Sequence, residues 1–248
     1  MKKILELQEN LENLIIDYDK IIKKNVMTEV NYNHELSNLI QEVMILEGQI
    51  EIFNYLLGNS EEEITKLQET LDTMKKNLFE KVRGYVNKVE NFKRIYENNE
   101  KYSEEEIAKL EEDYENVVRT YHPAVTLSDD ERVNKGFGIL RNLYIENDCE
   151  RYYELKKQIP FTIFDENCDL DAAYERINSI YSDYQKENAR ILTFTENFAK
   201  LESLLVDEME LAREESSLRQ RIYVDKSKMK DLSAQINNQF GGKLDFSF

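Results

Sequence analysis

KKILELQENLENLIIDYDKII, residues 2–22, is the stretch that decides the fold. Its apolar side chains fall at Ile4, Leu7, Leu11, Leu14, Tyr18 and Ile21. This three-four alternation draws a narrow stripe along an α-helix and suits it to pair with another helix. The phase lapses across Lys23 to His34 and returns at Leu36, Leu39, Val43, Leu46, Ile50, Phe53 and Leu57, which predicts one long helix with a kink or short break near Asn25 to Asn33. Gly58 suits a left-handed C-terminal cap, and Ser60 with Glu63 reads as a capping box, so a second helix should turn back as a tight hairpin. Its seam is Ile64, Leu67, Leu71, Met74 and Leu78, then Val82, Tyr85, Val89, Phe92 and Tyr96, with one phase shift between Leu78 and Val82.

A third seam starts at Leu170 and runs through Ala173, Ile177, Ile180, Tyr184, Ile191, Phe194, Phe198, Leu201 and Leu205, continuing less regularly to Ile236. As one helix from Leu170 to Asn237 it would extend on the order of 100 Å, so it needs an equally long partner. The expected fold class is all-α: an elongated antiparallel coiled-coil or three-helix stalk, outward, back and outward again, carrying a small helical head. The expected division is a hairpin at 1–98, a head at 99–160, a long stalk helix at 161–240 and a tail at 241–248.

Composition agrees with helices. The 248 residues include 7 Gly and 2 Pro, too few for the turns of a barrel or sandwich. The 33 basic and 50 acidic side chains leave a net charge of −17, which argues against direct nucleic-acid binding and against an anionic membrane surface. No run of residues is apolar enough to span a bilayer, and the first residues lack the apolar core of a signal peptide, so a reduced, cytoplasmic protein is expected. Cys149, Cys168, His34 and His122 do not have metal-ligand spacing, and no triad or phosphate loop is visible. The reading therefore expects no cofactor, no metal and no catalytic residues. Cys149 and Cys168 read either as a redox pair brought together by the bend near Pro160 or as ordinary half-buried thiols.

The head opens with a capping box, Ser103 and Glu106, and presents Ile107, Leu110, Tyr114, Val117 and Tyr121 on one helical face up to His122-Pro123. Ser128 with Glu131 reads as another capping box before Val133, Phe137, Leu140, Leu143 and Tyr144, and Asp148 as the cap of a short helix with Arg151 and Tyr152. Gly136 and Gly138 suit a close approach of the two head helices. His122 reads either as a recognition residue on an exposed loop or as a helix stop whose imidazole caps terminal carbonyls. His34 reads as a solvated surface residue.

This order of residues resembles a J domain, the module by which co-chaperones engage seventy-kilodalton heat-shock chaperones. The resemblance rests on Tyr114 to Tyr121-His122-Pro123 and on Phe137-x-x-Leu140-x-x-Leu143-Tyr144 followed by Asp148-x-x-Arg151-x-Tyr153. It covers about a quarter of the chain, and the family's first helix would be supplied by Phe92 to Tyr96. It implies a partner-binding loop at Tyr121, His122, Pro123 and Ala124. Ala124 stands where the family has the Asp needed to stimulate the chaperone's ATPase. The second helix reads Glu104-Glu105-Glu106 and Glu111-Glu112-Asp113 where the family is basic, so the resemblance implies a J-like head without stimulating activity.

Beyond Gly241-Gly242 the tail carries Leu244, Phe246 and Phe248, read either as a tethered docking peptide or as a segment that folds back on the stalk. The expected function is a non-enzymatic adaptor or scaffold for other proteins, with self-association through the seams as one route. The alternative is a co-chaperone-like regulator that contacts a heat-shock chaperone without strong ATPase stimulation.

Overall fold

The computed structural model describes residues 2–59, 64–165 and 167–241. Among these the chain is all-α, with no strand. The elements are α1 (Lys2–Leu57), α2 (Ile64–Lys101), α3 (Glu104–Tyr121), α4 (Pro123–Thr126), α5 (Glu131–Ile145), α6 (Cys149–Lys156), α7 (Leu170–Val206) and α8 (Glu208–Phe240). No helix among the described residues is long and apolar enough to cross a membrane. The Ser60–Glu63 capping box and Leu244, Phe246 and Phe248 of the tail lie outside the described residues.

The sequence reading divides the chain serially, with a head beginning at residue 99. The helices fold into two compact units that are each discontinuous: Met1–Asn31 with Arg94–Glu202, and Tyr32–Lys93 with Ser203–Phe248. Residue 99 falls inside α2.

In the first unit, Ile4, Leu11, Ile15 and Ile16 of α1 pack on Leu110, Tyr114 and Val117 of α3, on Phe137, Leu140 and Tyr144 of α5, on Tyr152 of α6 and on Ile177 of α7. Tyr114 and Tyr144 stack with ring centroids 3.9 Å apart at an interplanar angle of 5°. Each fully buried side chain of this size contributes roughly 1.5–3 kcal/mol of apolar burial. The helical layer beside α3 and α5 thus comes from residues 4–16, whereas Phe92 and Ile95, proposed from sequence for that place, are buried outside this core. The end of α2 reaches the unit by polar contacts: Arg94 pairs with Glu146 at 2.7 Å and Asn147 donates to Asn99.

Local signals set the boundaries. Ser103 and Glu106 form the expected capping box of α3, and Asp148 caps α6 by accepting from the Arg151 N–H. The α5 cap is not Ser128 with Glu131 but Asp130, whose carboxylate accepts from the Arg132 N–H at 2.8 Å. The Ser128 hydroxyl instead accepts from the Asp130 N–H, which turns the loop into the helix. Gly136 sits at a close approach, but to Ile159 in the segment after α6 and not to the other head helix, and Gly138 faces open space.

In the second unit the later part of α1, α2 and α8 form a three-helix bundle. Ile52, Phe53 and Leu56 of α1 meet Leu67 and Leu71 of α2 and Leu232, Ile236 and Phe240 of α8. Farther along, Leu36, Val43 and Leu46 pack on Leu218 and Ile222. Tyr32 bonds Glu214, Lys226 pairs with Glu42 at 2.6 Å, and Gln239 donates to the Asn59 carbonyl, so α1 and α8 run parallel. Tyr85 donates to Asn33 and Leu78 lies against Gly48, so α2 runs antiparallel to α1. The outward, back and outward course is realised within this unit.

Two expectations about continuity are corrected. Helix α1 has no break at Asn25 to Asn33; it runs unbroken from Lys2 to Leu57. The apolar phase lapses there because the inward positions are polar: Lys23, Asn25, Thr28 and Asn33 are all buried, beside a fully buried Val30. The third arm, in contrast, is two helices. Asp207 stands between α7 and α8 in extended conformation (φ −100°, ψ 102°), and its carboxylate accepts from the N–H groups of Met209 and Glu210. An Asp with such local bonds offers the backbone an alternative to continuing the helix.

Candidate functional site

The buried stripe at the start of α1 is not the one the three-four pattern marks. It comprises Ile4, Gln8, Leu11, Ile15, Asp19 and Lys23, while Leu7, Leu14, Tyr18 and Ile21 are only partly buried. Three of the inward residues are polar, and each has a partner far along the chain. Gln8 donates to the Val125 carbonyl at 3.0 Å. Lys23 donates to Glu111 at 2.8 Å and lies 4.4 Å above the Tyr144 ring. Asp19, 1% exposed, accepts from Arg141 Nε at 2.5 Å and from the Tyr114 hydroxyl at 2.6 Å.

These anchors fix α1 against α3 and α5 at a stated rotation and height, since a buried polar group without its partner is costly. Burial raises the Asp19 carboxyl above its ordinary range, although the Arg141 charge and both hydrogen bonds act the other way. Burial also lowers the Lys23 ammonium, against the pull of Glu111, and holds the Tyr114 phenol well above its usual value. For Arg141 burial acts downward, but the Asp19 charge and hydrogen bond outweigh it and the guanidinium is held more firmly protonated.

Arg141 and Tyr18 belong to the wall of a cleft of about 640 Å³ in this unit, which also takes in His122, Phe137, Ile180 and Tyr184. Tyr18 and Tyr184 meet edge to face at 6.0 Å, and His122 and Phe137 at 4.5 Å. Asp129, Asp183, Glu187 and Arg176 complete the charged lining.

The residues proposed from sequence for partner binding are only partly displayed. Tyr121 stacks on Phe161 at 4.8 Å. His122 is 8% exposed, and Pro123 is buried. The imidazole neither stands on an exposed loop nor caps the carbonyls ending α3. Its Nδ1 accepts from the Ala124 N–H at 3.1 Å, so it caps the start of α4, while its backbone carbonyl accepts from Val125 and Thr126. Burial first, and then the Arg141 charge, hold the imidazole down to about 3. It is therefore uncharged at neutral pH, with its proton on Nε2, and too weak a base to take a proton from a hydroxyl. Ala124 is half-buried, with its N–H already engaged.

His34 is exposed on α1. Cys149 is buried and Cys168 partly so, and both are free thiols; burial raises the Cys149 thiol. Among the described residues no three His, Cys, Asp or Glu side chains converge to hold a metal ion.

Comparison of the chain with protein-family models, with curated proteins and with solved structures finds no match.

The geometry brings His122, Pro123 and Ala124 together with Arg141 and Tyr184, and Asp19 bonds Arg141; Tyr184 belonged to the third seam, but Asp19 and Arg141 did not stand out in the sequence. The one available signal was spacing: Gln8, Asp19 and Lys23 share the helical face of Leu11 and Ile15.

Proposed function

We propose that this chain is a non-enzymatic adaptor whose helices present docking faces to other proteins. The observation that carries the reading is the far part of α7. Ile191, Phe194, Phe198 and Leu201 follow helix-pairing spacing, yet the buried residues of α7 are Ala173 and Ile177 alone. On this stripe Phe194 is 58% exposed while Ile191, Phe198 and Leu201 are partly buried, and Leu192 beside it is 52% exposed. A stripe with coiled-coil spacing that is nowhere fully buried and displays a Phe is a surface suited to a partner helix. Work would be done by position, with the anchored helices holding such faces at fixed separations along each unit. The free thiols at Cys149 and Cys168 support a reducing, cytoplasmic setting.

The test is cross-linking of the full chain in cytoplasm with mapping of linked residues, run beside a Phe194→Glu, Phe198→Glu variant. The adaptor reading expects one partner linked around residues 188–202 and its loss in the variant, with helical content unchanged. A concentration-dependent mass in sedimentation, abolished by the same variant, would make the partner a second copy. Identical links in both forms would overturn the reading.

A second reading is favoured by the α3–α5 pairing, with Tyr114 stacked on Tyr144 and α6 capped by Asp148. It holds that the first unit is a J-like module that contacts a heat-shock chaperone without stimulating it. Buried His122 and the acidic start of α3 account for weak contact on that reading. It expects measurable binding to a seventy-kilodalton chaperone and a gain of ATPase stimulation with Ala124→Asp; absence of both removes it.

A further inference from the structure

The cleft of the first unit has a guanidinium donor in its wall. Arg141 is the residue that carries it: Nε is given to Asp19, Nη2 is sealed in the interior, and the guanidinium, 5.6 Å from the Tyr18 ring centroid, belongs to a side chain that is still 29% exposed. Asp19 is 1% exposed, with one oxygen held by Arg141 and the other by Tyr114, so it is closed to a ligand.

Charge decides which acceptor fits. Asp19 already neutralises Arg141, and the rest of the lining sets a single further cation, Arg176, against Asp129, Asp183 and Glu187. Arg176 is itself bound to Asp129 at 2.5 Å. Asp183 and Glu187, one helical turn apart at the mouth, are paired only with exposed Lys186 and Arg190 on their own helix, and exposed pairs exchange readily. A carboxylate or phosphate would be repelled here. An uncharged carbonyl would not, and a cationic group outside it would be attracted.

Between donor and mouth the walls are aromatic or aliphatic: Tyr18, Phe137, Ile180 and Tyr184. The volume lies within the range of sites that hold a compact ligand. We propose that this cleft binds a basic, apolar peptide segment, taking one backbone carbonyl on the part-exposed Arg141 guanidinium, an aromatic or branched side chain against Tyr18 and Tyr184, and a Lys or Arg at Asp183 and Glu187. The site is separate from the exposed α7 stripe and does not depend on it.

Gly138 provides the test. It lines the cleft, and a Cβ built there meets nothing within 4 Å, so a larger side chain can enter without displacing the core. Replacing a mid-helix Gly also favours the helix. The full chain is titrated by NMR with N-acetyl-Arg-Phe-amide, N-acetyl-Glu-Phe-amide and N-acetyl-phenylalanine, which ends in a free carboxylate. The expected result is shifts of the Arg141 side-chain and Tyr184 resonances, with affinity falling in that order. Asp183→Asn with Glu187→Gln weakens the Arg peptide by about fivefold and leaves N-acetyl-Phe-amide unchanged. Gly138→Leu melts no lower than the parent and abolishes all shifts. Tightest binding of the free carboxylate, shifts that survive Gly138→Leu, or no shifts with any probe would each overturn the proposal.

Discussion

Tyr114 donates its phenolic hydrogen to Asp19 at 2.6 Å, joining side chains 95 positions apart and leaving Arg141 to hold the second carboxylate oxygen. Removing the hydroxyl while keeping the ring preserves the stack on Tyr144 and strips one bond from a buried carboxylate. Tyr114→Phe should therefore lose about 2 kcal/mol, read as a lower urea midpoint with unchanged slope. Asp19→Ala should lose more, about 3–5 kcal/mol, because Arg141 is then left charged without its partner. Equal midpoints for Tyr114→Phe and the parent would show that the bond exchanges freely with water.

His122 gives the stability a pH dependence of definite sign. Its folded value is about 3, whereas an unfolded His titrates near 6.5. Between those values the unfolded chain binds the extra proton, so stability is full above about pH 6.5 and falls as the pH drops towards 3. From pH 7 to pH 5 this contribution amounts to about 2 kcal/mol. Asp19, raised by burial, acts in the opposite sense above the ordinary carboxylate range, so the His122 part is read by difference. His122→Asn, which can still cap α4, should lose markedly less stability on acidification than the parent; equal losses would place the titration elsewhere.

Two glycines in the second unit should respond oppositely to alanine. A Cβ at Gly84 meets nothing, so Gly84→Ala gains about 1 kcal/mol from helix propensity. At Gly48 the same methyl collides with the end of the Leu78 side chain, and Gly48→Ala is expected to lower the melting temperature. Adding Leu78→Ala should then cost less than it does alone, which a double-mutant cycle would read.

Lys23 tests whether its charge or its shape holds α1. Its side chain is 8% exposed, while Glu111, 43% exposed, can be solvated when unpaired. Lys23→Met should keep the contact with Tyr144 and leave stability within about 1 kcal/mol of the parent. Lys23→Glu, facing Glu111, should unfold the first unit's α1 contacts, seen as lost near-ultraviolet tyrosine signal.

Helix content was legible because it is written locally. The seams of α2 and α8, the Ser103–Glu106 box and the Asp148 cap depend on neighbours within a turn or two, and the structure has them. What was not legible depends on partners far along the chain. Gln8, Asp19 and Lys23 look like surface residues until Val125, Arg141 and Glu111 are brought against them. The same polar stretch reads as a kink or short break near Asn25 to Asn33, and the helix does not break there. Asp207 shows the opposite error: an apolar pattern continues past it, but its own carboxylate ends one helix and starts the next. The cleft was hidden for the first reason, since its walls come from α1, from α4, α5 and the loop at 128–129, and from α7, which lie far apart in the chain.

The interleaving of the two units has a consequence for synthesis. The α1–α2 part of the second unit is complete at Lys93, but its third helix lies beyond the 109 residues of Arg94–Glu202. At ribosomal speed that interval lasts on the order of 10 s. Throughout it Ile52, Leu56, Leu67 and Leu71 have no Leu232, Ile236 or Phe240 to cover them. The nascent chain thus carries a ready-made helical pair with one sticky side, and its safe arrival depends on how well that side is shielded until the last helix emerges.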